Sequence, residues 1–113
     1  MNSVYDMETY DLLKCIDNAL DEYGSSAKQA LYLNIALKES ASFEEVVLAH
    51  PDLLLQALRD VFDDSSEIVK RSIVSEIKKV FGLKKPSDSY ELEEALGIAC
   101  KRISGMAVVQ VLR

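Results

Sequence analysis

Residues 66–82, SEIVKRSIVSEIKKVFG, carry the clearest helical pattern in the chain. Apolar side chains recur there at steps of three or four residues, at Val69, Ile73, Ile77, Val80 and Phe81. Because an α-helix turns once in about 3.6 residues, this spacing predicts a helix over about 66–81 with one buried stripe. Gly82 is the expected end, since glycine readily takes the left-handed conformation found after helices. A stripe of this kind has to be covered by other elements of the fold.

Two further helices are predicted in the first third of the chain. Over 6–23 the apolar residues follow one helical face, and Gly24 is the expected stop. A second helix, capped by Ser25 or Ser26, runs to about Lys38. Its apolar residues almost encircle it, and a helix that is apolar on most sides is usually central in a bundle. We therefore expect this second helix at the centre of the fold.

Start signals also mark two helices in the middle of the chain. Ser42 and Glu45 have the spacing of a capping box, so a short helix should run over about 42–49. Pro51 suits the first turn of the next helix, which should end near residue 62. His50 precedes the proline, and helical angles are disfavoured at such a position, so the short helix should last only to about Ala49.

The last part of the chain is harder to assign. The Asp and Ser residues at 63–66 are expected to cap the 66–81 helix, and Asp88 with Glu91 is expected to start a final helix. Gly105 is a candidate end for it. Residues 106–112 are rich in β-branched side chains, which suit a strand, but a lone strand has no partner in a helical domain. A continued helix is the favoured interpretation.

Composition agrees with a helical fold. The chain has 113 residues, 49% of them hydrophobic, with only 4 Gly, 2 Pro and no Trp. These values predict one all-α domain over 1–113, a compact bundle of five to six helices. The longest apolar runs are far shorter than the roughly 20 residues of a membrane span, and the first residues lack a secretory signal pattern. We therefore expect a cytoplasmic protein that does not enter membranes.

The residue types that catalysis requires are scarce. His50 is the one histidine, no serine lies in a G-x-S-x-G motif, and the glycines are isolated, which excludes a phosphate loop. Acidic pairs lack metal-loop spacing and are expected to cap helices or face solvent. Cys15 and Cys100 are predicted to be buried thiols, with a disulfide or redox pair as the alternative. We expect no enzyme, no cofactor and no bound metal.

Gly97 lies inside the last predicted helix, where glycine is unfavourable. Close packing against a neighbouring helix is the expected reason for it.

Charge is distributed unevenly along the chain. The net charge is −6, but residues 1–67 hold fourteen acids and four bases, whereas 68–113 hold five acids and nine bases. The bases of the 66–81 helix form a candidate surface, namely Lys70, Arg71, Lys78 and Lys79. Three interpretations stay open for it: a solvated face, a protein contact, or phosphate contacts with a nucleic acid.

The apolar C-terminal residues are a second candidate surface. Met106, Val109 and Leu112 carry this prediction, and they favour self-association into a homodimer.

A longer pattern joins helix ends and core residues over 11–82. It comprises Gly24, Ser26, Lys28, Ala30, Tyr32, then Pro51, Leu54, Ala57, Leu58, Val61, Phe62, then Ile68, Val69, Ile73 and Ile77. This order resembles the Nitrosopumilus output domain family, small archaeal all-helical domains. The resemblance implies a core over about 11–82, followed by a C-terminal helix and tail over 88–113. Where the family tends to have glycines after the aromatic, this chain has acidic and serine residues at 63–66.

The resemblance implies a signalling output role that would need a sensor on a partner protein, and it brings no catalytic residues. Together with the residue inventory, it predicts a non-enzymatic protein-interaction or regulatory module with an unidentified protein partner. The alternative is a nucleic-acid-binding regulator that uses the basic face of the 66–81 helix.

Overall fold

The computed structural model describes residues 6–39 and 42–112, with side chains described over 9–38 and 42–103. Within these residues the chain forms six α-helices, which confirms the predicted all-α bundle. The helices are α1 (Asp6–Asp21), α2 (Ser25–Glu39), α3 (Phe43–Ala49), α4 (Pro51–Phe62), α5 (Ser66–Phe81) and α6 (Leu92–Leu112). Single 3-10 turns at Asp63–Ser65 and Ser87–Ser89 precede α5 and α6.

Helix α5 is the centre of the bundle and packs against α1, α4 and α6. Its stripe is buried as predicted at Val69, Ile73, Ile77 and Phe81. Val80 is the exception, since 52% of it is exposed. It lies in the last turn of α5, where the described parts of the neighbouring helices leave it uncovered. The predicted burial of Val80 was therefore wrong.

Helix α2 lies at the edge of the bundle, so its predicted central position was wrong. It packs against α4, α1 and α3, and it buries only Leu31 and Ile35 completely. On its other side Leu33 is 57% exposed and Leu37 is 74% exposed. The apolar residues that encircle α2 thus serve two surfaces, one in the core and one facing outwards.

The predicted helix ends are confirmed where they depend on one local interaction. Ser42 caps α3, because its Oγ accepts a hydrogen bond of 3.1 Å from the Glu45 amide. Pro51 is the first residue of α4, and the exposed His50 lies between the two helices. Gly82 takes the left-handed conformation (φ +65°), and its amide bonds to the Lys78 carbonyl at the end of α5.

The capping of α5 and both boundaries of α6 differ from prediction. The Asp-Ser segment before α5 forms a 3-10 turn in which Asp63 has φ +50°, and Ser65 makes no side-chain capping bond. The residues after Pro86 also form a 3-10 turn, so α6 begins at Leu92 and not near Asp88. Gly105 does not end α6, which continues to Leu112. The helical interpretation of residues 106–112 is therefore the correct one.

Gly97 has no packing role, in contrast to the prediction. It is exposed on α6, and a Cβ atom placed on it would meet no atom within 4 Å. We expect Gly97→Ala to stabilise the fold by about 1 kcal/mol, since alanine restricts the unfolded chain and favours helix. Urea unfolding followed by circular dichroism measures the change. Gly82→Ala is the control and should destabilise, because its φ of +65° disfavours a side chain. Destabilisation by Gly97→Ala would contradict this account.

Candidate interaction surface

The outward side of α2 is uncharged. We call it the α2 outer face, and its exposed residues are Ser26, Gln29, Ala30, Leu33, Ala36 and Leu37. Charged residues make up 28% of the chain, so six exposed positions on one helix without a charge stand out from the rest of the surface. Leu33 and Leu37 are one helical turn apart and therefore lie side by side.

The arrangement follows from the helical period. Leu31 and Ile35 are four residues apart and point into the core together. Leu33 follows Leu31 by two residues, or about 200° around the helix, so it points away from the core. Burying one pair of large apolar residues in α2 therefore requires the other pair to face outwards.

Ion pairs enclose the α2 outer face at both ends. At its beginning, Lys28 Nζ lies 3.1 Å from Asp17 Oδ1 and 2.5 Å from Asp21 Oδ1. At its end, Lys38 Nζ lies 2.6 Å from Asp60 Oδ2 on α4. The Lys38 hydrogen bond lowers the pKa of Asp60, and a second one from Gln56 adds to this effect. The cations nearest to the α2 outer face are therefore already paired with carboxylates of the chain.

An open aromatic groove of about 330 Å³ lies beside α2, between α1 and the start of α3. Its lining residues are Tyr10, Leu13, Lys14, Asp17, Tyr32 and Phe43. The Tyr32 and Phe43 rings pack with centroids 4.7 Å apart and planes inclined by 56°. Tyr10 is 61% exposed, and Lys14 Nζ lies 5.7 Å from its ring centroid. The groove thus extends the apolar surface around the side of α2.

A hydrogen bond between α1 and α2 fixes the wall of this groove. Tyr32 Oη donates to Asp17 Oδ1 at 2.8 Å. This bond lowers the pKa of Asp17, and the nearby Lys28 ammonium contributes in the same direction. Burial, together with the Asp17 carboxylate, raises the pKa of Tyr32 above its ordinary value. Tyr32 therefore stays protonated as the donor, and Asp17 stays ionised as the acceptor.

We expect Tyr32→Phe to destabilise the fold by about 1 kcal/mol at pH 7, since the lost bond involves a charged acceptor that is partly solvated. The effect should shrink in acid. A carboxyl whose pKa is lowered by folding stabilises the native state above about pH 4, and this contribution disappears as the pH falls through its folded pKa. Urea unfolding at pH 7 and pH 3 measures both changes. Tyr10→Phe, at an exposed position, is the control. An equal loss at both pH values would exclude the Asp17 contribution.

The four bases of the sequence-predicted surface do not form an unpaired patch. Three have partners within the chain: Lys70 Nζ lies 2.8 Å from Glu67, Lys79 Nζ lies 2.9 Å from Glu76, and Lys78 Nζ donates to the Leu83 carbonyl at 2.9 Å. Arg71 is exposed.

Lys70 and Arg71 do line a shared cavity of about 260 Å³ between α5 and the segment before α6. Its wall also carries three carboxylates, from Glu67, Asp88 and Glu91. The cations are therefore outnumbered locally, which does not favour a bound phosphate. A role for this basic surface stays a prediction.

The C-terminal candidates are placed only in part. Met106, Val109 and Leu112 belong to the helical backbone of α6, but their side chains lie outside the described residues. Sequence reasoning missed Leu33 and Leu37 as surface residues. The available signal was an apolar pattern wider than one helical face, which we interpreted as burial.

No protein-family model, curated protein or solved structure matches this chain. Among the described residues, none of the helices combines the length and the apolar character that a membrane span requires. No cluster of three or more metal-ligating His, Cys, Asp or Glu residues occurs in this described part of the chain.

Proposed function

We propose that this chain is a non-enzymatic protein-interaction or regulatory module and that it binds its partner through the α2 outer face. The observation that carries the proposal is the exposure of Leu33 and Leu37 on adjacent turns of a face without charge. Single exposed apolar residues are ordinary, but a contiguous apolar patch is typical of a binding surface. The aromatic groove beside α2 adds tyrosine and phenylalanine rings, which are enriched in protein interfaces.

Protein contact is preferred over nucleic acid because affinity for nucleic acid comes mainly from cations on phosphates. The α2 outer face offers none, and three of the four candidate bases are held by the chain's own acceptors. A cytoplasmic location and the signalling output role implied by the family resemblance belong to the same proposal.

Site-specific photo-crosslinking in the native cell tests the proposal. A photoreactive residue at position 33 or 37 should capture one defined protein, whereas the same residue at position 68 should not. Ile68 is a matched control, since it is 58% exposed on α5. The captured protein is then purified and titrated. We expect Leu33→Gln to weaken binding at least about tenfold and Ile68→Gln to leave it unchanged. Equal capture at all three positions, or unchanged binding by Leu33→Gln, would overturn the proposal.

A further inference from the structure

We propose that the α2 outer face binds a second copy of this chain, with the two α2 helices packed antiparallel around a two-fold axis. This inference rests on the proposed function and names its partner. It also moves the self-association surface from the end of α6 to α2.

The residues of the α2 outer face have the spacing of a helix-pairing seam. Ser26, Ala30, Leu33 and Leu37 follow one another at steps of four, three and four residues. These are the steps between core positions of a heptad, which bring one helix into continuous contact with another. All four residues are exposed, so α2 presents a complete helix-pairing seam that the described bundle does not cover. The occupant is therefore expected to be a helix.

The lack of charge on the α2 outer face favours a second copy of this chain. The chain carries a net charge of −6, so two copies repel one another wherever their acidic surfaces meet. The α2 outer face avoids this cost because its exposed residues are uncharged. A charged partner would find no opposite charge there, whereas a two-fold contact between identical neutral faces needs none.

The ends of the face support an antiparallel arrangement. An antiparallel pair brings the Lys28 end of one copy near the Lys38 end of the other. Each end already holds a cation bonded to a carboxylate, Lys28 to Asp17 and Asp21, and Lys38 to Asp60. Each end of the α2 outer face therefore carries both positive and negative charge. The opposed dipoles of two antiparallel helices also favour this pairing.

Residue size fits the same arrangement. Ala30 and Leu37 lie at nearly equal distances along the sequence on either side of Leu33. A two-fold axis next to Leu33 therefore places Ala30 of one copy opposite Leu37 of the other. Small residues then face large ones, and the two Leu33 side chains meet at the axis.

The contact is small, so the dimer should be weak. Fifteen residues of helix extend about 22 Å, and one face of that length buries less than the roughly 800 Å² per partner of a standard interface. We expect a dissociation constant on the order of 100 µM.

Sedimentation equilibrium of the full chain, from about 10 µM to about 1 mM, tests the inference. The average mass should rise from 12.6 kDa towards twice that value. Leu33→Gln and Leu37→Gln should each raise the dissociation constant at least about tenfold, because burying the polar amide of glutamine in the interface costs free energy. Glutamine has nearly the helix propensity of leucine, so α2 itself should be preserved. Ile68→Gln should change it less than about twofold. Unaltered circular dichroism shows that each variant is folded.

A monomer at about 1 mM, or an equal response to all three substitutions, would overturn the inference. The proposed function fails separately. If the chain is monomeric but Leu33→Gln still weakens binding to a different captured protein, only the second copy is excluded. If the chain dimerises but neither Leu33→Gln nor Leu37→Gln changes the dissociation constant, the α2 outer face is not the interaction surface.

Disulfide trapping tests the orientation. Leu33→Cys chains should cross-link with one another, and Ala30→Cys chains should cross-link with Leu37→Cys chains but not among themselves. Ile68→Cys measures the background from random collisions. Cross-linking of Ala30→Cys chains with one another above that background would show a parallel pair and overturn the antiparallel arrangement.

Discussion

Ile73→Ala should reduce the free energy of unfolding by about 3–4 kcal/mol, the largest effect that we expect from one substitution. Ile73 has no exposed surface and lies in the middle of α5, the helix against which α1, α4 and α6 pack. Its truncation removes three buried carbons and leaves a cavity in the interior of the bundle. Since domains of this size are stable by roughly 5–15 kcal/mol, the variant should lose a large part of its stability.

Ile68→Ala is the matched control for this experiment, because the same side chain is removed from an exposed position of the same helix. Ile68→Ala should reduce the free energy of unfolding by less than about 0.5 kcal/mol. Guanidinium unfolding followed at 222 nm compares both variants with the original chain. If Ile73→Ala costs no more than Ile68→Ala, α5 does not occupy the centre of the bundle.

Alkaline pH should destabilise the chain by about 2 kcal/mol through Cys15 alone. The thiol is 1% exposed and donates a weak hydrogen bond to the Glu76 carbonyl. Burial raises its pKa from 9.0 to about 11, and the carboxylates of Glu76 and Asp11 add to the shift. The native state therefore favours the neutral thiol. This contribution is complete below pH 9, where the unfolded thiol is also neutral, and is lost as the pH rises towards about 11.

Unfolding at pH 8.5 and pH 10.5 measures the effect, and Cys15→Ala separates it from the titration of lysines and tyrosines. The variant should start with lower stability because of its cavity but lose about 2 kcal/mol less between the two pH values. If Cys15→Ala and the original chain lose the same stability between the two pH values, the thiol is accessible to solvent in the folded chain. Both cysteines are free thiols in the structure, Cys15 buried and Cys100 half-buried, so the buried-thiol prediction is confirmed for Cys15 and only in part for Cys100, and no disulfide joins them.

The sequence correctly predicted those features that depend on residues close to one another along the chain. The stripe of α5 follows from the helical period, and the capping bond of Ser42 follows from the reach of its own hydroxyl to the Glu45 amide. Pro51 and Gly82 act through their own backbone preferences. Each of these depends on a local interaction, and each is confirmed except for Val80, which is exposed at the end of the α5 stripe.

The predictions that were wrong concern features that depend on which helices cover a given residue. Leu31 and Leu33 have the same side chain in the same helix, yet one is buried and the other is exposed. Nothing within α2 decides between them, because the outcome depends on α1, α3 and α4 lying on one side. The prediction of close packing at Gly97 was wrong for the same reason, since no neighbouring helix approaches this residue. The sequence showed that apolar residues surround α2, but which side of α2 stays exposed depends on the position of the other helices.

Amide chemical shifts on dilution test most directly whether the α2 outer face is the interaction surface. Spectra of the isotope-labelled chain are compared between about 1 mM and about 20 µM, either side of the expected dissociation constant. We expect shift changes centred on Ala30, Leu33 and Leu37, with smaller changes along the aromatic groove. Changes centred on residues 106–112 of α6, or on the bases of α5, would contradict it.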